Sequence, residues 1–390
     1  METREYTVSF LTPAFLGDAA QEGCWRTPPF KALLRQWWRV AAAAGYGYDH
    51  HALREVEGRL FGHAWLKGDR DAKGRQVAAR QSRVRLRLDS WSQGGLDTSG
   101  WPGGAMDRVI TTRDGKGQVP ADVYLGYGPV LPPSKKQGRL RTTIRGALAP
   151  GERAQLRVAL PATEPGAELI STSLALAHWF GTMGSRCRNA WGSLSLVAQG
   201  DTPGLGPAPS SEGLAGVLRD YRRCLAGPDW AHAIGRDERG PLVWRSAPVT
   251  DWRRAIGLLA RLRVALRRVA KDVTGPGGIG GIHLLGYPAG GQWQLRGVPE
   301  TARMASSLRF KVVADADGET LRALVLHMPH ALPGPFAEAI GNDRCHWLQQ
   351  NQEHVWHSLH QALDEPARLA EGPRVRADDP LLALHRLGGQ

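Results

Sequence analysis

The sequence predicts an α+β chain of two related halves, each with antiparallel strands backed by helices. Three observations lead there. Short segments alternate apolar and polar residues, as in Tyr6-Thr7-Val8-Ser9-Phe10, which marks a strand with one buried face. Between them lie segments with apolar residues every three or four positions, the pattern of a helix with one buried stripe. A stretch rich in glycine and proline at 199–212 breaks both patterns and reads as a linker. The boundaries that follow are an N-terminal domain at 1–200 carrying a long inserted loop, a linker at 201–212, and a C-terminal half at 213–390.

Each element follows from its residues. After the first strand, Thr27-Pro28 opens a helix, with threonine as N-cap and proline in the first turn. Phe30, Leu33, Leu34, Trp37 and Ala41 form its core face, and Lys31, Arg35 and Arg39 a separate basic stripe. Trp38 falls on the shoulder between them. A second helix covers 51–61, with Leu53, Val56, Leu60 and Phe61 inward and Asp49 as cap. Residues 81–88 read as a strand in which Arg83, Arg85 and Arg87 occupy one face and Val84, Leu86 and Leu88 the other. Three like charges in a row repel, so nearby acids or a bound polyanion should offset them. Residues 89–120 read as a long excursion. A strand at 154–160 leads into a helix that ends at Gly181, and Leu194-Ser195-Leu196-Val197 is the next strand. The second half offers helices at 213–225 and 251–271, strands at 308–313 and 321–328, and a final helix at 343–363. This order suits two ferredoxin-like (RRM-like) halves.

The charge narrows the function classes. Fifty Lys and Arg against 37 Asp and Glu leave +13 over 390 residues, a balance that favours a polyanionic partner, commonly nucleic acid. Fourteen tryptophans exceed the seven tyrosines and seven phenylalanines, and several adjoin arginine. No apolar run approaches the roughly 18 residues of a membrane span. The four cysteines form no C-x-x-C pair, which fits thiols in a reducing cytoplasm. The most informative stretch is Thr182-Met183-Gly184-Ser185-Arg186-Cys187-Arg188-Asn189-Ala190-Trp191-Gly192-Ser193-Leu194. Glycines there let a backbone approach a ligand closely, guanidinium groups fork onto phosphate, and an indole offers a face to a base. Candidate nucleic-acid-binding residues are therefore Lys31, Arg35, Trp38, Arg39, Arg83, Arg85, Arg87, Gly184, Arg186, Arg188, Asn189 and Trp191.

Several of these pieces together resemble a known family. Phe10-Leu11-Thr12-Pro13-Ala14-Phe15-Leu16-Gly17 and Arg26-Thr27-Pro28-Pro29-Phe30-Lys31-Ala32-Leu33-Leu34-Arg35-Gln36-Trp37-Trp38-Arg39 look like the opening of RAMP proteins from CRISPR systems, specifically the first-numbered Cmr subunit of type III-B effector complexes. Glu57-Gly58-Arg59-Leu60-Phe61-Gly62, the glycine-rich 181–194 loop and Met304-Ala305-Ser306-Ser307-Leu308-Arg309-Phe310-Lys311 resemble further family segments. The loop departs from the family in having fewer consecutive basic residues. The resemblance implies two ferredoxin-like halves and a non-catalytic, cytoplasmic subunit near the guide RNA 3′ end. It further implies that the subunit binds guide RNA (crRNA), helps capture single-stranded target RNA for antiviral defence, and touches other RAMP subunits. It implies no cofactor.

Other chemistries have candidate residues in the same sequence. A RAMP-type endoribonuclease acting on guide precursor or target RNA could draw on Asp49-His50-His51, Asp18 or Asp122. A zinc site could draw on His346, His354, His357 and His360, which fall on one side of the final helix, opposite Leu348, Val355, Leu359 and Leu363. The 275–281 glycine run lacks the Gly-Lys-Ser/Thr ending of a phosphate loop and reads as a mobile loop.

Overall fold

The computed structural model describes all residues except 65, 102–105, 107, 112–117, 140, 207–208, 289–292, 300, 371–382 and 389–390. Parts of the 89–120 excursion and of the 199–212 linker thus lie outside the described residues. The chain divides into two compact units: residues 1–103, 129–217 and 313–316, and residues 104–128, 218–312 and 317–390.

In the first unit the chain runs through β1 (Glu2–Phe10), α1 (Thr27–Ala42), α2 (His50–Phe61), β2 (Arg85–Leu88), β3 (Arg153–Leu160), α3 (Ile170–Phe180) and β4 (Leu194–Ala198). The sheet order is β2-β3-β1-β4, and each pairing is antiparallel. Tyr6, Val8 and Phe10 of β1, Leu156 and Val158 of β3, and Leu194 and Leu196 of β4 are all buried. Their alternation is what the pleat demands of a sheet covered on one face. Trp37 of α1 meets Phe180 of α3 with ring centroids 5.9 Å apart, which joins the two covering helices.

The second unit repeats the plan with β5 (Val243–Arg245), α4 (Trp252–Lys271), β6 (Leu308–Ala314), β7 (Leu321–His327), α5 (Asn342–Asp364) and β8 (His385–Arg386). Its sheet order, β6-β7-β5-β8, is the same permutation of four strands, with the one helix α4 where the first unit has α1 and α2. Both halves are therefore ferredoxin-like, and the α+β reading holds. Helix α4 is capped as its sequence directs: the Asp251 carboxylate accepts from the Arg253 and Arg254 N–H groups.

Local differences have plain causes. The segment expected as one helix at 213–225 is two short helices, Ser211–Leu214 and Tyr221–Leu225, separated by the strand Leu218–Asp220, which pairs in parallel with Ile234–Asp237. Part of the 89–120 excursion is an antiparallel hairpin, Arg108–Thr111 with Gln118–Pro120. The 275–281 run is held as a turn by Gly275 N–H to Ile279 O (2.8 Å) and Gly281 N–H to Val273 O (2.9 Å), not as an open loop. His360 does not join an outer histidine side of α5. It is buried and lies 2.9 Å from His327, whose other ring nitrogen is 3.0 Å from Ser307 Oγ. Among the described residues no three His, Cys, Asp or Glu side chains converge as metal ligands, and no helix is long and apolar enough to cross a membrane.

These buried histidines make stability depend on pH. Burial pushes His360 down to about 3, His232 down to about 4 and His327 well below its usual value. Each stays neutral in the folded chain and takes a proton on unfolding. The contribution is complete above the unfolded histidine value of about 6.5 and is lost as pH falls from there toward the folded values. The denaturant midpoint should therefore drop steadily between pH 7 and pH 4. A midpoint that stays level across that range contradicts this assignment.

Candidate nucleic-acid interface

Two segments distant in sequence are laced together at the end of the first sheet. Leu11 N–H donates to Ser193 O (2.7 Å), Gly192 N–H to Pro13 O (2.9 Å) and Ser185 N–H to Phe15 O (3.1 Å). The buried Thr12 hydroxyl donates to Ala190 O (2.7 Å) and accepts from Ser193 N–H (3.0 Å). The Leu-Thr-Pro opening is thus the scaffold of the glycine-rich loop. Two glycines are required there. A Cβ on Gly184 (φ +93°) would lie 2.6 Å from Phe15 O, and one on Gly192 (φ +66°) would lie 1.9 Å from Met183 O. Arg186 (φ +59°) and Ala190 (φ +70°) also take left-handed conformations. Non-glycine residues do so at a cost, and such strain clusters at ligand-binding sites.

Beside this loop is an open cleft of about 400 Å³, lined by Phe15, Leu16, Gly17, Gln21, Arg26, Pro29, Arg145, Gly146, Gly184 and Ser185. Its cations are Arg26, half-buried, and Arg145, exposed. Arg26 is the residue before α1 and stands in the N-cap position expected of Thr27. Its backbone is extended and its side chain makes no capping bond. The Nε of Arg26 is enclosed and has no hydrogen-bond partner among the described residues. Prolines at 28 and 29 remove two of the N–H donors that a helix start offers an anion, so the guanidinium groups carry the positive charge here. Gln21, which also lines the cleft, is another non-glycine residue with positive φ, +63°.

The structure places the sequence-derived candidates unequally. Gly184 lines the cleft. Arg186 and Arg188 are exposed and Asn189 is half-buried; the Asn189 N–H closes a turn onto Arg186 O (2.9 Å). Trp191 is wholly buried. It packs against Phe15 at 5.2 Å and Trp101 at 6.2 Å between ring centroids, so it presents no face to a base, and the stacking role expected of it is corrected to a core role. Trp38 is corrected in the same way. It is fully buried rather than on a shoulder, and its indole N–H donates to Gly166 O (2.8 Å). Periodicity put Trp38 off the α1 stripe, but the 166–169 turn covers that side of the helix.

The basic stripe on α1 also has an internal role that the sequence did not reveal. Arg35 reaches Glu57 Oε1 at 2.6 Å, and Arg39 reaches both carboxylate oxygens at 2.7 Å. Glu57, on α2, is buried, so the two guanidinium groups neutralise an acid that burial would otherwise penalise. Lys31 is half-buried, and that burial lowers its pKa, with the charge of Arg35 adding to the effect. Arg83, Arg85 and Arg87 are exposed, but the strand begins only at Arg85. Arg83 precedes it and lies 3.3 Å from Glu164. His50 and His51 start α2, with the Asp49 carboxylate accepting from His51 N–H (2.8 Å). Asp122 is buried in the short helix Ala121–Gly126. Sequence reasoning missed Arg145 altogether, which sits in a segment without periodicity, and passed over Arg26, which only its place beside a helix start could have signalled.

No protein-family model matches the chain, and no curated protein matches it. Solved structures do. The chain is similar to Cmr1 from Pyrococcus furiosus in its apo form, with 18% identity, 85% of this chain and 90% of that one covered, and a TM-score of 0.43. It is similar to a chain of the type III-B Cmr-beta complex bound to cognate target RNA and AMPPnP in the presence of ssDNA, with 11% identity, coverage of 91% and 99%, and a TM-score of 0.44. It is also similar to a chain of a type IV-B CRISPR complex, with 14% identity, coverage of 54% and 96%, and a TM-score of 0.30.

Proposed function

We propose that this chain is an RNA-binding, non-catalytic subunit of a type III CRISPR ribonucleoprotein effector. On this reading it grips single-stranded RNA backbone in the cleft beside the glycine-rich loop. One observation carries the reading. Three segments that resemble RAMP motifs in sequence, 10–17, 26–39 and 181–194, are brought to one cleft, where each supplies lining residues. Their meeting leaves two arginines, Arg26 and Arg145, at an open surface. A net charge of +13 supports a polyanionic partner, and the two ferredoxin-like halves are those the resemblance implies. In the assembled effector the subunit would lie near the guide RNA 3′ end, contact other RAMP subunits and help capture target RNA.

The isolated chain is expected to bind labelled single-stranded RNA at low salt with little base preference. It should leave guide-length and target RNA intact in the presence of magnesium or manganese. Cleavage that disappears on changing His50, His51 or Asp18 to alanine would replace this reading with the endoribonuclease one. Absence of binding at low salt would remove both.

A further inference from the structure

The open face of the first sheet has a composition that the cleft does not explain. Helices cover the other face, where Tyr6, Val8, Leu156 and Val158 are buried. The outward positions are Arg85 and Arg87 on β2, Arg153, Gln155 and Arg157 on β3, and Glu5, Thr7 and Ser9 on β1. All five on β2 and β3 are exposed. The register sets Arg87 directly opposite Arg157, with Glu5 opposite Arg157 on the other side and 2.9 Å from its Nε. Like charges directly opposed on neighbouring strands are destabilising. This face therefore keeps four arginines against one strand carboxylate, a choice that folding does not favour. Asp89, just beyond β2, is occupied by the Gln155 N–H at 2.8 Å.

The same chain then delivers an exposed indole. Trp91, three residues past the end of β2, is 63% exposed. Its neighbours fix the backbone there: Ser92 O accepts from Trp25 N–H at 2.9 Å, and Gln93 forms a bridge with Cys24. Tryptophan is normally well buried, as Trp25, Trp37, Trp38 and Trp191 are here. An exposed tryptophan on a fixed backbone, three residues beyond a strand with two outward arginines, supplies the two kinds of group that hold unpaired nucleotides.

We propose that this sheet face is a second docking surface, distinct from the cleft, for single-stranded nucleic acid, with phosphates on Arg85, Arg87, Arg153 and Arg157 and a base on Trp91. The proposal rests on the RNA-binding reading above. Charge complementarity selects a polyanion. The indole selects a single strand over an acidic protein or a duplex, because only unpaired bases present free π-faces. Successive outward positions along a strand are about 6.6 Å apart, a step suited to neighbouring phosphates.

The test compares binding of a labelled single-stranded RNA across salt concentrations. It uses the full chain, Trp91→Ala, Trp91→Phe, the Arg85→Ala/Arg87→Ala pair and the Arg26→Ala/Arg145→Ala pair. Trp91→Ala should weaken binding about 5- to 150-fold with the salt slope unchanged, while Trp91→Phe, which keeps an aromatic face, retains most of the affinity. The Arg85/Arg87 pair should lower the magnitude of the slope by about 1.4 units, two single-strand phosphate contacts. The Trp91, Arg85 and Arg87 side chains are exposed, so the melting temperatures of those variants should hold. Wild-type affinity in the Trp91 and Arg85/Arg87 variants, with weakened binding in the Arg26/Arg145 pair, overturns the sheet surface and leaves the cleft standing. A wild-type chain that binds no RNA overturns both.

Discussion

Replacing Trp191 by alanine should cost about 3–5 kcal/mol of stability, the range for emptying a large aromatic from a packed core. The indole is fully enclosed and packs on Phe15 and Trp101, so its loss leaves a void that neighbouring rings cannot close without moving. Phe15 also carries the carbonyl that accepts from Ser185 N–H. Repacking around it should therefore loosen the glycine-rich loop, and RNA affinity should fall as a consequence of disorder. Trp191→Phe separates the two effects: it should recover much of the stability and with it the affinity. Denaturant unfolding of the three proteins checks this. A Trp191→Ala chain that melts like the wild type and loses only RNA affinity would return Trp191 to a base-stacking role.

Changing Arg35 and Arg39 together to alanine should cost about 3 kcal/mol, the lower end of the range for stripping the partner from a buried charge. The lower end applies because the two side chains are 35% and 45% exposed, and water can reach the vacated space. The carboxylate of Glu57 is the group left stranded. Adding Glu57→Gln to the double variant should restore part of the loss, since the amide carries no charge to desolvate. Unfolding curves for the double and triple variants decide the matter. An Arg35/Arg39 double variant as stable as the wild type would mean that the stripe serves only an external ligand.

The fold was readable because its signals are local. Alternation marks β1 and β3, helical periodicity marks α1, α4 and α5, and each of these forms close to the expected bounds. Strands of two or three residues, such as β5 and β8, are too short to alternate visibly, and only the sheet around them makes them strands. The site was legible in part. Gly184 stood out by the glycine-rich run around it, while the backbone that requires a glycine there belongs to Phe15 in another segment. Trp38 and Trp191 were misread because the partners that bury them, the 166–169 turn and Phe15 with Trp101, are remote in sequence. Arg35 and Arg39 looked solvent-facing for the same reason: Glu57 lies on another helix, and nothing local says that it is buried. Trp91 had no periodic neighbours, and its exposure is a property of the fold alone.

If the cleft beside the glycine-rich loop holds RNA phosphates through Arg26 and Arg145, as proposed, titrating labelled single-stranded RNA with the wild-type chain and the Arg26→Ala/Arg145→Ala pair at several salt concentrations, beside a melting curve for each, shows it most directly. The variant should keep its melting temperature, bind all RNA sequences more weakly by a similar factor, and show a salt slope smaller in magnitude by about 1.4 units, the loss of two single-strand phosphate contacts. Unchanged affinity and slope in a folded variant would contradict the assignment of the cleft.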